Sequence, residues 1–196
     1  MLDSEEINIF NRIKNDDKQA FNILFEEYYG RLCEFSYRII ANKQLSEEIV
    51  ADVFAKIWIK RHRIEITGSI RAYLFQSTKN TTLSYLRKRK KETVNFDDLI
   101  NFQFKDESNP EKELISNENL KSYENILSVI PEKSRAVFIM HRFDRLKYRE
   151  ISAILGISQK TVEKHMGKAI KLMREYKKNM VVLTIITASI INFFTK

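Results

Sequence analysis

Ser158, Gln159, Lys160, Thr161, Glu163, Lys164, His165 and Lys168 bring hydroxyls, an amide, a carboxylate, an imidazole and ammonium groups into one short stretch. Such a set suits a polyanion: cations hold phosphate oxygens, while an amide or carboxylate reads base edges. A second set combines Lys60, Arg61, His62 and Arg63 with five consecutive basic residues, Arg87 to Lys91. Trp58, Tyr73, Phe75 and Tyr85 are interleaved with it. Cations that track phosphates beside aromatics that accept unstacked bases are what single-stranded nucleic acid requires. The same pattern also fits aromatics in a core and cations on duplex phosphates, and both alternatives stand. Bond-making chemistry has no comparable set. His62, His141 and His165 lie far apart without metal-ligand spacing, and the one cysteine, Cys33, excludes an internal disulfide or a Cys-rich zinc site. Cys33 falls in an apolar helical run, as a core residue would. No nucleotide-binding loop, metal set or nucleophile constellation is recognisable, so the sequence implies no cofactor and argues against an enzyme.

The elements that position the first set are legible. Ile151, Ile154 and Leu155 recur at helical spacing, and Gly156 breaks the pattern where a helix end needs a positive φ. Ser158 then suits the N-cap of a second helix, with Val162, Met166, Ala169, Ile170 and Met173 on its apolar face. The small Ser152 allows the two helices to pack closely. Two helices joined by a tight glycine turn, the second basic on its free side, read as a DNA-binding helix-turn-helix, with an ordinary helical hairpin bearing a solvated lysine face as the alternative.

Four glycines and two prolines in 196 residues favour long helices. The net charge of +8 and a pI near 9.4 point to nucleic acid first and an acidic membrane second. The charge is blocked. Residues 1–55 are acidic on balance, and 56–91 carry eleven basic side chains against one acidic. Residues 92–119 carry eight acidic against two basic, and 120–178 fourteen basic against six acidic. Two basic blocks around an acidic one suggest two nucleic-acid contacts.

In order, Ile9, Phe10 and Ile13 mark a short amphipathic helix. Phe21, Leu24, Phe25, Tyr28, Leu32, Phe35 and Ile39 form the core stripe of a helix from about Lys18 to Ala41, ending near Asn42. Ser46 is expected to cap the next helix, with Glu47 and Glu48 in its first turn. Ile49, Val50, Val53, Phe54, Ile57 and Trp58 form its buried stripe. Residues 59–69 read as a loop and Ser69 to Lys91 as a helix. Residues 92–119 read as an acidic linker. A helix over Leu120 to Ile130 is followed by one opened by Pro131 at a first-turn position, with Ala136, Val137, Ile139, Met140 and Phe143 on its core side. Met180 to Phe194 is apolar all round but spans only about 22 Å as a helix, short of a bilayer core of about 30 Å. Docking within the chain or onto a partner is favoured for this tail over membrane contact. The expected fold is all-α: two small helical domains, 1–91 and 120–178, joined by the acidic linker 92–119, the second a helix-turn-helix domain, with the apolar tail at 179–196. No signal peptide opens the chain, which places it in the cytoplasm.

Over about residues 18–178 the chain resembles bacterial RNA polymerase sigma factors of the extracytoplasmic-function type, in their two-domain minimal form. LSEEIVADVFAKIW (45–58) is similar to the family's core-polymerase-binding helix. SIRAYLFQSTKNTTLSYLRKRKK (69–91) is similar to its strand-opening, minus-ten-reading helix, and residues 130–174 to its minus-thirty-five-reading domain. The sequence departs from the family at Ala51, often Gln, and at Glu163, basic in many members.

The resemblance implies that Glu48, Ile49, Asp52 and Lys56 dock on the polymerase clamp helices. It implies that Lys60, Arg61, Arg63, Arg71 and Asn80 capture a flipped base and the opened non-template strand. The linker then threads through polymerase, and the second domain sits on the flap with residues 158–168 in the major groove. Core RNA polymerase and promoter DNA, duplex and single-stranded, are the implied partners, and an anti-sigma factor is a further one. The alternative is a stand-alone helix-turn-helix regulator with an N-terminal sensing domain, against which the basic 56–91 block weighs.

Overall fold

A computed structural model describes the backbone of residues 2–66, 68–90 and 125–194, and the side chains of 7–66, 68–88 and 125–178. Among the described residues seven helices follow in order: α1 Leu2–Lys14, α2 Lys18–Ile40, α3 Lys43–Lys60, α4 Ile70–Lys90, α5 Glu132–Arg142, α6 Tyr148–Leu155 and α7 Gln159–Phe194. A helical turn at 125–128 precedes α5, and no strand occurs among the described residues. The fold is all-α, as expected. The acidic linker and most of the helix expected from Leu120 lie outside the described residues, as do the tail's side chains.

Helices α1 to α4 pack around the stripe read from the sequence. Leu24, Tyr28, Leu32 and Phe35 of α2 are buried against Val50, Val53, Phe54 and Ile57 of α3 and Ile70, Leu74 and Phe75 of α4. The rings interlock: Phe54 meets Phe21 edge-on at 6.0 Å and Phe25 at 4.9 Å, and Phe35 meets Phe75 at 5.1 Å. Such edge-to-face pairs add to plain burial. Phe10 and Ile13 of α1 join the same core.

Helix boundaries correct the sequence expectation at three places. Asn42, not Ser46, caps α3: its side chain accepts from the Leu45 N–H at 2.9 Å. Ala41 ends α2 in the left-handed region at φ 51, so the next helix starts at once and Ser46 falls inside it, donating to the Asn42 carbonyl at 2.8 Å. Pro131 is the N-cap of α5, one step before the helix proper. The sequence also places Phe143 and Ile170 in the core, yet they are 45% and 38% exposed. Each sits at the edge of its apolar stripe, Phe143 as the C-cap of α5.

The second unit is built by α5, α6 and the first turns of α7. Gly156 caps α6 at φ 69, its N–H donating to the Ser152 carbonyl at 2.9 Å. Ser152 does more than leave room, since its hydroxyl ties the turn by donating to the Ile157 carbonyl at 2.8 Å. Ser158 caps α7, accepting from the Thr161 N–H at 3.1 Å. Val137, Met140, Leu146, Ile151, Ile154, Val162 and Met166 belong to the same continuous apolar cluster as the α1–α4 core. The two helical units are therefore packed against each other. Helix α7 runs unbroken for 36 residues, about 54 Å, so the apolar tail continues the reading helix.

Candidate nucleic-acid and protein interfaces

On α7, Gln159, Lys160, Glu163, Lys164 and Lys168 are all exposed, opposite the buried Val162, Met166 and Ala169. Steps of three and four residues align them along one face, so a groove that admits the helix meets all of them. Ser158 and Thr161 are committed locally, their hydroxyls 2.8 Å apart at the helix start. His165 is half-buried and its Nδ1 lies 3.0 Å from the Ser134 hydroxyl. Burial lowers its pKa below the usual value, aided by Lys133, Lys164 and Lys168, which favours the neutral imidazole. Its role here is to hold α7 on α5.

The second basic set divides. Lys60, Arg63 and Asn80 are exposed. Arg61 is bound within the fold: its guanidinium lies 4.3 Å from the Trp58 ring centroid and 2.6 Å from Asp16. Arg71 is half-buried, donating to the Tyr28 hydroxyl at 3.3 Å and to the Arg145 carbonyl at 3.1 Å. Of the interleaved aromatics, Phe75 is fully buried and Tyr73 half-buried, while Trp58 packs on Phe21 at 5.0 Å; Tyr85 is 43% exposed. Core duty therefore accounts for Phe75, and Tyr85 alone of the four presents an open face. Arg87 and Lys88 are exposed beside it.

On α3, Glu48, Asp52 and Lys56 are exposed at successive four-residue steps, one continuous charged face. Ile49 is 2% exposed and belongs to the buried side of the same helix. It positions the charged face and cannot itself touch a partner in this structure, which corrects its assignment as a contact. Cys33 is also removed from chemistry: burial pushes its thiol up to about 11. Among the described residues no group of three or more metal-ligating side chains is assembled, and no helix is long and apolar enough to cross a membrane.

A contact that sequence reasoning missed lies between the units. Arg38 of α2 donates from Nη2 to both carboxylate oxygens of Asp144, at 2.5 and 2.7 Å. The two residues are 8% and 2% exposed. Ser69 donates to the Glu150 carboxylate, and the Lys79 ammonium donates to the Ile154 carbonyl. Burial lowers the pKa of Lys79. Beside this seam, Ile66, Tyr73 and Gln76 face Lys147, Arg149 and Glu150 across a cleft of about 460 Å³.

Comparison with known proteins agrees with the geometry. Residues 24–92 match the model of Sigma-70 region 2, and residues 120–173 that of Sigma-70, region 4. The chain is 27% identical over 137 residues to the ECF RNA polymerase sigma factor SigM of Bacillus subtilis, covering 69% of this chain and 82% of SigM. Among solved structures it is similar to CnrH in complex with the cytosolic domain of CnrY, with a TM-score of 0.59 at 18% identity, over 89% of this chain and 97% of that one. It is also similar to the sigma factor RpoE in complex with the anti-sigma factor NepR from Bartonella quintana. There the TM-score is 0.56 at 21% identity, over 81% of this chain and 96% of that one.

Proposed function

Because the chain belongs to the sigma-70 family, as a sigma factor of the extracytoplasmic-function type that directs transcription initiation with core RNA polymerase, we infer that its surfaces divide the work among three helices. The charged face of α3 meets polymerase, the end of α4 with the loop before it holds the opened strand, and α7 reads the upstream duplex. The single observation behind this division is the separation of exposed polar side chains: Glu48, Asp52 and Lys56 along α3, Arg63 in the loop after it with Asn80 on α4, and Lys160, Lys164 and Lys168 on α7. The chain makes and breaks no bond in this process, and it works where polymerase and promoter are, in the cytoplasm. Residues 92–119 link the two DNA contacts, and an anti-sigma factor is a fitting partner, as RpoE was solved with one. The stand-alone regulator is not favoured, since two nucleic-acid surfaces exceed what it needs.

On α7, Glu163 can accept from a cytosine amino group, while Lys168 lies further along the helix where a phosphate is the natural partner. Glu163→Ala is expected to relax preference at one base pair of the upstream element by about 1–3 kcal/mol. Lys168→Ala should weaken binding to every sequence alike and lower the salt slope by about 0.9. Titrating promoter variants at several salt concentrations separates the two; an equal loss for every base under Glu163→Ala would remove base reading from this residue.

Asn80 tests strand capture. It is exposed on α4 and contributes nothing to the core, so Asn80→Ala should leave the fold and holoenzyme assembly intact. Open-complex formation, followed by permanganate reactivity of unpaired thymines, is expected to slow by about tenfold or more, as for a lost buried hydrogen bond to a base. Opening at the wild-type rate would take Asn80 out of the strand-holding surface.

A further inference from the structure

The loop between α3 and α4 is tied down at one end by a residue outside the stretches that match the family. Asp16 sits in the α1–α2 turn, ahead of residues 24–92 that match Sigma-70 region 2. Its backbone is left-handed at φ 65, a conformation that Asp accepts more readily than most side chains. Hydrogen bonds fix the turn around it. The Asp16 and Asp17 N–H groups donate to the Ile13 and Arg12 carbonyls, each at 3.1 Å. Asp17 caps α2, accepting from the Gln19 and Ala20 N–H groups at 2.9 and 3.0 Å, and its other carboxylate oxygen meets Arg12 at 2.8 Å.

From this turn the Asp16 carboxylate reaches Arg61, the C-cap of α3. Arg61 Nε donates to Asp16 Oδ1 at 2.6 Å, Nη1 donates to the Trp58 carbonyl, and the guanidinium lies 4.3 Å from the centroid of the Trp58 ring. With only 18% of its side chain exposed, Arg61 has little surface left to offer a phosphate. His62 Nε2 stands 3.3 Å from the same Asp16 oxygen. The chain then bends, the Arg63 and Ile64 N–H groups donating to the Lys60 carbonyl at 2.8 and 3.1 Å, and Ile64 and Ile66 pack against the core. His62 and Arg63 are left exposed between two fastened ends.

We propose that Asp16 is a positioning residue for strand capture: it fixes Arg61, and through Arg61 the bend that presents His62 and Arg63 to the opened strand, while Arg61 itself touches no phosphate. This rests on the reading of the α3–α4 loop as part of the strand-holding surface. The Asp16 carboxylate offsets the charge of Arg61, so the pair offers phosphate no net cation. An ion pair as open as this one, with the Asp16 side chain 61% exposed, adds little stability. What it contributes is direction, because a planar guanidinium held at its edge by a carboxylate and on its face by an indole keeps one orientation. A loop already set in place loses less freedom when the strand arrives, which favours capture.

The test uses holoenzyme assembled from the full chain and core polymerase, with capture of a fluorescent single-stranded minus-ten oligonucleotide titrated at several salt concentrations. Asp16→Gly keeps the positive φ and removes the carboxylate at an exposed turn position, so the core is untouched. It should weaken capture about tenfold, the loss expected when a preset loop must be ordered on binding. Asp16→Asn keeps an acceptor oxygen in the same place and should recover most of that loss. Arg61→Ala should match Asp16→Gly, and the double variant should lose no more than either alone, since the two residues act as a unit. The double variant, which leaves no bare charge, should also keep the unmodified dependence on salt. Arg63→Ala should instead lower the salt slope by about 0.7, one phosphate contact to a single strand. A lowered slope in the double variant would make Arg61 a phosphate ligand and overturn the proposal, as would additive losses or full capture by Asp16→Gly. If Arg63→Ala changes neither capture nor slope, the loop does not hold the strand, and the positioning role falls together with the reading beneath it.

Discussion

Reversing Glu48 and Asp52 to lysine together is expected to abolish co-elution of the chain with core polymerase. The two carboxylates stand one turn apart on the exposed side of α3, and the opposite side of the helix is buried through Ile49, Val50, Val53 and Phe54. Losing one partner of a close, desolvated interfacial charge pair costs about 2–5 kcal/mol, and reversal adds repulsion. Two such changes should lower affinity by at least about a thousandfold. Stability should move little, because exposed substitutions away from caps and networks stay within about 0.5 kcal/mol. Glu48 is only loosely engaged within the fold, 3.4 Å from the Gln44 amide. Gel filtration with core enzyme at two salt concentrations, beside a urea unfolding curve, makes the measurement. Duplex binding by the same variant serves as an internal control, since α7 is untouched. Normal assembly of the double reversal would move the polymerase contact off α3.

The helix-turn-helix was legible because its signals are local. Gly156 at a positive φ, Ser158 as a cap and the buried Val162 and Met166 all lie within about ten residues of one another, and each follows from backbone preference or helical period. The α2–α3 junction was harder, because Asn42 and Ser46 are comparable caps and only Ser46 is followed directly by acidic residues, Glu47 and Glu48. The tie is broken by Ala41 taking a left-handed conformation, for which its methyl side chain gives no signal. Periodicity also assigns a face better than it assigns the edges of that face, which is why Ile170 and Phe143 emerged partly exposed.

The larger misses concern long cationic side chains. Arg61, read from its basic run, and Arg71, placed by the resemblance, are expected to meet single-stranded DNA, yet within the fold their partners lie 45 and 74 positions away. Arg38 meets Asp144 at a separation of 106. Nothing local distinguishes a solvated arginine from one buried against a distant carboxylate, so the seam between the units could not be read from sequence. An arginine inside an otherwise apolar stripe, such as Arg38 between Phe35 and Ile39, was the one available sign.

Phe54→Ala is expected to have the largest effect on the fold itself. Phe54 is 2% exposed and stands where α3 meets α2, with Phe21, Phe25 and Tyr29 ringed about it at centroid distances of 6.0, 4.9 and 6.5 Å. Truncation removes the transfer energy of the ring and leaves a cavity that three surrounding rings cannot readily fill. Together these cost about 3–5 kcal/mol, a large share of a net stability of about 5–15 kcal/mol. Phe54→Leu retains much of the volume and should cost markedly less. The effect reaches function through α3, because the same helix carries Glu48, Asp52 and Lys56 on its other side. Polymerase binding by Phe54→Ala should therefore fall with the folded fraction and recover on cooling toward the temperature of maximum stability, whereas the Glu48/Asp52 reversal should fail at every temperature. Urea unfolding followed by circular dichroism gives the stability loss directly. A loss below about 1 kcal/mol, beneath the range for burying and then deleting an aromatic ring, would show that this ring cluster does not hold α2 and α3 together.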